Sequence, residues 1–153
     1  MDKRLLPGQY YITSLQNNEN LGVSQSLPVI PPLPVPVMIL RPGVLPPEFT
    51  VEVVNGGDNT YVIKVERRNT RGRKDRVFAF ADQPAEEWVI LYREYNGAYT
   101  IERRDQPVGW TVQQPEGVED RQVVLSPVVS TRSIPPQFRP TQLFRFESAG
   151  PQE

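Results

Sequence analysis

The sequence contains neither cysteine nor histidine, and these two absences exclude most familiar kinds of active site. Without cysteine there is no disulfide, no thiol nucleophile and no zinc-thiolate centre, so the chain is expected to fold in a reducing compartment. Without histidine there is no Ser-His-Asp or Cys-His catalytic group and no histidine-bound metal. We therefore expect a protein that is not an enzyme and that carries no cofactor and no metal.

One kind of catalysis remains possible without cysteine and histidine. A glycosidase needs only two carboxyl groups, and the chain has 18 acidic residues. No pair of acids is distinguished by its pattern. Glu86 and Glu87 are adjacent, but they are interpreted as a turn before the strand that begins at Trp88. A carboxylate-only glycosidase therefore ranks third among the functions considered.

Strong charge of one sign and long apolar runs are also missing. The 153 residues carry a net charge of -1 and are 38% hydrophobic, which favours a folded chain with protein or small-molecule partners over a nucleic-acid binder. The length is typical of one domain, residues 1–153, and we expect a monomer. Residues 1–7 are charged and then turn into proline and glycine, which predicts a cytoplasmic protein without a signal peptide or membrane partner.

Proline, by contrast, is abundant, with 17 residues. Each proline inside a helix removes a backbone donor and clashes with the preceding turn, and no long amphipathic helix is visible. The chain is therefore predicted to be all-β.

Two short patterns alternate along the chain, three times each. The first is an extended triplet that begins with tyrosine, at residues 10–12, 61–63 and 99–101. The second is an aromatic strand preceded by proline, at residues 46–51, 84–90 and 140–146. The spacing indicates three repeats of roughly forty residues each, over residues 10–51, 61–90 and 99–146, separated by Asn-Gly turns.

Each repeat has room for four strands, which predicts a β-trefoil of twelve strands with pseudo-three-fold symmetry. A β-sandwich is the structural alternative. The inner strands are expected near residues 21–23, 37–40, 65–69, 77–81, 108–113 and 122–129. The repeated aromatic residues are interpreted as core, namely Tyr10, Phe49, Tyr61, Trp88, Tyr99 and Phe144.

Three segments between these strands are longer than the packing of strands requires, and long loops often carry function. Residues 24–36 lack a basic residue and are interpreted as a stiff connector. Residues 70–76 are a basic cluster in which Arg71 or Arg73 could attract a protease. Gly72 is expected to make that cluster flexible, so a solvated, charged hairpin is preferred. Whether either segment is a second or the main binding site stays open.

The third long segment, residues 130–141, contains a distinctive run of six residues: Thr131, Arg132, Ser133, Ile134, Pro135 and Pro136. This run resembles the reactive loop of Bowman-Birk inhibitors and of the sunflower trypsin-inhibitor peptide. Those inhibitors close the loop with a disulfide, which this cysteine-free chain cannot form. The resemblance implies an inhibitory loop for a trypsin-like serine protease.

The residue types fit that role one by one. Arg132 is the candidate P1 residue, because a long planar cation suits a deep pocket with a buried carboxylate. Thr131 favours extended backbone, and its hydroxyl can brace the loop. Ser133 is small and can hydrogen-bond within the loop, while Ile134 suits an apolar subsite. Pro135 restricts the backbone, and the Ile-Pro bond can adopt the cis form.

The whole chain is also similar to the mushroom β-trefoil serine protease inhibitors. The similarity is carried by residues 7–12, the Leu21-Gly22 step, residues 46–52 and residues 144–147. The similarity implies a cytosolic, disulfide-free fungal inhibitor with a role in defence. Different members of that family use different loops for inhibition. Residues 24–36 and 130–141 correspond to loops that the family uses.

The alternative function is a carbohydrate-binding β-trefoil lectin. Lectins of this fold repeat a Gln-x-Trp signature, which only Gln142, Leu143 and Phe144 approach here. Because the polar pattern is not repeated three times, the inhibitor is preferred.

Overall fold

Strands make up almost all the regular structure of the computed structural model, which describes residues 4–24, 33–113 and 121–149. These residues form twelve strands and one short 3-10 helix, Pro140–Gln142, and they contain no α-helix. The all-β prediction and the count of twelve strands are confirmed. The strands are β1 Gly8–Ser14, β2 Leu21–Val23, β3 Val35–Ile39, β4 Phe49–Val53, β5 Thr60–Val65, β6 Arg68–Arg73, β7 Arg76–Phe80, β8 Trp88–Arg93, β9 Ala98–Arg103, β10 Val108–Thr111, β11 Val124–Pro127 and β12 Phe144–Ser148.

Six of the strands close into a ring, which we call the barrel. Antiparallel pairing runs from β1 to β4, β5, β8, β9 and β12, and then returns to β1. A closed ring leaves no unpaired edge among its members, which removes the usual site of edge-to-edge aggregation. Two open sheets, as a β-sandwich requires, would not produce this pairing.

The other six strands form three hairpins, β2 with β3, β6 with β7, and β10 with β11. The hairpins also pair with one another, because β7 contacts both β3 and β11. A single bridge between Met38 and Gln122 joins the first hairpin to the chain just before β11. Through the pair of β7 with β11, nine strands form a second closed circuit.

The core lies inside the ring and is built around aromatic side chains. Trp88 and Trp110 are fully buried and meet edge to face, with ring centroids 5.4 Å apart, and Trp110 also meets Phe144 at 6.3 Å. Such pairs add to the free energy gained by burial alone. Trp110 was not singled out in the sequence, because it belongs to neither repeated pattern.

Most of the aromatic residues predicted as core are buried, and two are not fully so. Phe49, Tyr61, Trp88 and Phe144 have at most 1% of their surface exposed. Tyr10 and Tyr99 are half-buried and pack against the rim of the core. Both contact Phe146 edge to face, at 5.7 and 5.5 Å.

The inner strand predicted near residues 65–69 lies a few residues further along the chain. Val65 ends β5, Glu66 and Arg67 form a two-residue turn with φ of 51° and 63°, and β6 begins at Arg68. Two consecutive left-handed residues match the twist of a hairpin. Charged residues occupy this turn, although asparagine and glycine are the residues that favour such a backbone.

The preferred interpretation of residues 70–76 as a charged hairpin is confirmed. Thr70 to Arg73 lie in β6, and the turn is limited to Lys74 and Asp75, with φ of 51° and 63°. Gly72 lies within the strand, where its N–H donates to Glu86 Oε1 at 2.8 Å. The segment is an ordered, charged hairpin.

Two expectations fall partly outside the described residues. Only Ser24 and residues 33–36 of the segment 24–36 are described, so its interpretation as a connector stays a prediction. The assignment of residues 1–153 to one domain also stays a prediction.

Within residues 4–24, 33–113 and 121–149, no helix is long and apolar enough to cross a membrane.

A buried hydroxyl provides a test of how the core is held together. Thr70 Oγ1 donates to Ile63 O at 2.7 Å and accepts from Trp88 Nε1 at 3.0 Å, and Thr70 and Trp88 are fully buried. Thr70→Val keeps the shape but leaves the indole N–H without an acceptor. We expect the free energy of unfolding, measured by urea denaturation, to fall by about 1–3 kcal/mol.

The matched control is Thr50→Val on β4, which removes an exposed hydroxyl bonded to Gln9 Oε1 at 2.9 Å. Its free energy of unfolding should change by less than about 0.5 kcal/mol. Equal losses in the two variants would contradict a special role for the buried hydroxyl.

Candidate functional site

The segment between β11 and β12 carries the residues singled out in the sequence. We call residues 130–138 the Arg132 loop, because an isolated bridge between Ser130 and Phe138 closes it. Inside that bridge, Thr131 N–H donates to Gln137 O at 2.9 Å. The two arms of the loop are therefore held together by backbone contacts.

The Thr131 side chain ties the interior of the loop. Its Oγ1 accepts from Gln137 N–H at 3.0 Å and lies 2.6 Å from Ser133 Oγ. Ser133 Oγ donates to Pro135 O at 3.0 Å. Because Ser133 has only one hydroxyl proton, Thr131 is the donor of the pair, and the two hydroxyls form one chain across the loop.

The tip of the loop faces solvent. Arg132 is exposed, and it makes no hydrogen bond or ion pair within the described part of the chain. Ile134 has 99% of its surface exposed. Pro135 is half-buried, and the Ile134–Pro135 peptide bond is cis. The cation and the apolar side chain are both free to contact another molecule.

The base of the loop is anchored by Phe138. Its ring is only 6% exposed and packs in a small apolar cluster with Ala98 and Leu143. The Arg93 guanidinium lies over the ring, 4.3 Å from its centroid, which is within the range of a cation–π contact. Phe138 N–H donates to Asn96 Oδ1 at 2.9 Å.

Arg93 is itself fixed by polar contacts on the neighbouring strand. Its Nη2 forms an ion pair with Glu102 Oε2 at 2.6 Å, and its Nε donates to Thr100 Oγ1 at 3.0 Å. Thr100 Oγ1 in turn donates to the same Glu102 oxygen at 2.7 Å. The cation above the Phe138 ring is thus held in one orientation.

The other arm of the loop is held by Gln142. This residue is 4% exposed, and its Oε1 accepts from Val129 N–H at 3.1 Å. Its Nε2 donates to Pro127 O at 2.8 Å and to Thr111 Oγ1 at 3.1 Å. Gln142 is therefore a buried support, and none of its side-chain polar groups is left for a sugar.

The structure brings together Thr131, Ser133 and Pro135 by hydrogen bonds and leaves Arg132 and Ile134 exposed. The supports Asn96, Phe138 and Gln142 were not predicted as site residues. Asn96 was interpreted only as a turn residue and Gln142 only as part of a lectin-like signature. No local pattern marks them, since their partners lie far along the chain.

The basic hairpin forms a second surface feature. Arg73, Lys74, Arg76 and Phe78 line an open groove of ≈ 460 Å³. Arg71 Nη1 donates to Pro84 O at 2.9 Å, so this cation is tied to the fold.

The adjacent acids Glu86 and Glu87 both form ion pairs with arginine. Glu86 Oε2 lies 2.8 Å from Arg103 Nε, and Glu87 Oε1 pairs with Arg104 Nη1. The hydrogen bond to Glu86 raises the pKa of Arg103, so this cation stays charged. In the described residues there is no group of three or more acidic side chains suited to a metal ion.

Comparison with known proteins places these features in context. The model of a family described as peptidase inhibitor I66 matches residues 3–148. A search of the curated proteins found no match.

Several solved structures share the fold over nearly the whole length of this chain. A proteinase inhibitor from Coprinopsis cinerea is similar with a TM-score of 0.79 at 22% identity, over 95% of this chain and 99% of that one. A salivary protein from Culex quiquefasciatus has a TM-score of 0.68 at 12% identity, over 97% and 99% of the two chains. SeviL bound to asialo-GM1 saccharide has a TM-score of 0.65 at 10% identity, over 95% and 100%. At these identities the likeness shows the fold alone.

Two apolar residues of the Arg132 loop are expected to contribute very different amounts to the free energy of unfolding. Phe138→Ala removes a buried ring and should lower the free energy of unfolding by about 3 kcal/mol or more. Ile134→Ala removes an exposed side chain and should change it by less than about 0.5 kcal/mol. Urea denaturation of both variants tests this contrast, and similar losses would argue against Phe138 as the anchor.

Proposed function

The chain belongs to peptidase inhibitor family I66, and we propose that it inhibits a trypsin-like serine protease, with Arg132 as the P1 residue. Family membership makes the chain a peptidase inhibitor rather than an enzyme and implies a protease as its partner. The trypsin-like class, the loop and the P1 residue are the parts that we propose. We also propose that the twelve-stranded fold is a β-trefoil and that the protein acts as a monomer in the cytoplasm.

The observation that carries the proposal is an exposed arginine at the tip of a loop tied from within. Arg132 lies between Thr131 and Ser133, whose hydroxyls bond to each other and to the opposite arm. A loop already held in its bound conformation loses little entropy when it binds. Such a loop is suited to inhibit, whereas a flexible Arg-Ser bond would simply be cut.

The absence of a disulfide does not weaken this interpretation. Where the Bowman-Birk loop is closed covalently, this loop is closed by the bridge between Ser130 and Phe138 and by the buried Phe138 ring. Burial of a phenylalanine side chain contributes about 1.5–3 kcal/mol. Local closure can therefore be supplied without cysteine.

The geometry favours the Arg132 loop over the basic hairpin. Arg71 and Gly72 lie in β6, where they pair with Phe78 and Val77 of β7. A protease would have to break this pairing before the bond after Arg71 or Arg73 could enter its cleft. We therefore assign the basic hairpin no inhibitory role.

A lectin function receives no support from the geometry. Gln142, the residue nearest to a lectin signature, is buried and its side chain is fully hydrogen-bonded. The likeness to the saccharide-bound structure rests on 10% identity and concerns the fold.

The proposed P1 residue is tested by titrating trypsin with the protein and its variants. The wild-type chain should inhibit stoichiometrically, and Arg132→Ala should raise the inhibition constant at least about a hundredfold, because the pocket carboxylate then has no cation to pair with. Arg132→Lys should retain inhibition. Arg139→Ala, which removes another exposed arginine just beyond the loop, is the matched control. Full inhibition by Arg132→Ala would move the site elsewhere.

The role of the Thr131 hydroxyl is tested with a pair of variants. Thr131→Val keeps a β-branched side chain but leaves Gln137 N–H and Ser133 Oγ without their partner, so the loop should loosen. We expect weaker inhibition by about tenfold and faster cleavage after Arg132. Thr131→Ser keeps the hydroxyl and should stay close to wild type. If valine and serine act alike, the hydroxyl does not brace the loop.

A further inference from the structure

The turn between β8 and β9 contacts the Arg132 loop from the side of the barrel. We propose that Asn96 in this turn is a positioning residue, which holds the arm of the loop that follows the Arg132–Ser133 bond in its inhibitory conformation. The inference rests on the proposed function and goes beyond it, because it assigns a role to a residue outside the loop.

The contact joins parts of the chain that are far apart in sequence. Asn96 Oδ1 accepts from Phe138 N–H at 2.9 Å across 42 residues. Phe138 is also the residue that pairs with Ser130 to close the loop. Fixing the backbone of Phe138 therefore fixes the point at which the loop leaves the barrel.

The Asn96 side chain is not needed for the turn itself. Asn96 N–H and Gly97 N–H both donate to Arg93 O, at 3.2 and 2.9 Å. The left-handed residue of the turn is Gly97, with φ of 64°. Because the backbone closes the turn without help, the asparagine amide can be removed with little effect on it.

Arg93 links the same turn to the same loop a second time. Its carbonyl accepts the two turn N–H groups, and its guanidinium lies 4.3 Å from the centre of the Phe138 ring. The ion pair with Glu102 keeps that guanidinium in place. The turn thus holds the Phe138 backbone through the Asn96 side chain and the Phe138 ring through the Arg93 guanidinium.

The consequence concerns what happens after a protease attacks the loop. Hydrolysis of the Arg132–Ser133 bond consumes one water and gives an Arg132 carboxylate and a Ser133 amine, and the reverse reaction releases that water. Gln142 holds the arm before the bond through Val129, and Asn96 holds the arm after it through Phe138. With both new ends kept close, resynthesis competes with release.

Two variants separate this role from a general structural one. Asn96→Ala removes the acceptor and should weaken trypsin inhibition about tenfold, as expected for one lost hydrogen bond. It should also speed cleavage after Arg132 and raise the cleaved fraction at equilibrium. Asn96→Asp keeps an oxygen acceptor and should restore all three readouts. Gln9→Ala, which removes the acceptor of Thr50 on β4, is the matched control.

Amide hydrogen exchange in the free protein supplies a readout that does not depend on any protease. Exchange at Phe138 should be about tenfold faster in Asn96→Ala than in wild type, and near wild type in Asn96→Asp. Unchanged exchange, inhibition and cleavage in Asn96→Ala would overturn the positioning role. If the wild-type chain fails to inhibit trypsin while Asn96→Ala still speeds Phe138 exchange, the proposed function falls and the positioning of the loop stands.

Discussion

Burial of the Phe138 ring is the interaction on which the candidate site depends. A buried phenylalanine contributes about 1.5–3 kcal/mol, whereas a single hydrogen bond contributes about 0.5–1.5 kcal/mol. The ring is therefore the largest single contribution to the free energy that keeps the loop on the barrel. The hydrogen bonds of Thr131, Asn96 and Gln142 decide the direction in which the chain leaves that anchor. Arg132 makes none of these contacts and stays exposed.

The closed barrel explains why such an anchor is available. Phe138 packs against Ala98 of β9 and beside Leu143, which precedes β12. Both strands belong to the ring, and each is paired on two sides. A loop that rests on such strands inherits their rigidity, while its own tip makes no contribution to the core. The tip of this loop can therefore change in sequence without loss of the fold, provided that Phe138 remains.

The sequence was a good guide to features that repeat or that act locally. Alternating tyrosine and aromatic patterns predicted the barrel strands, and the Thr131 hydroxyl was expected to brace the loop. The sequence was a poor guide to turns made by charged residues. Left-handed backbone, which asparagine and glycine favour, is adopted here by Glu66, Arg67, Lys74 and Asp75. Contacts across long separations, such as Asn96 with Phe138, leave no local pattern at all.

Closure without a disulfide has a physical consequence for the proposed activity. A disulfide limits the loop whether or not the surrounding fold is intact, but the contacts of Phe138 exist only while the ring stays in its pocket. The loop therefore has an opening free energy of its own, smaller than that of global unfolding. An opening free energy of about 3 kcal/mol would leave roughly 0.6% of molecules open. A protease would cut the open form as an ordinary substrate. Under the proposed function, the anchor would therefore set how long the chain survives its target, and Arg132 as the P1 residue would select the protease.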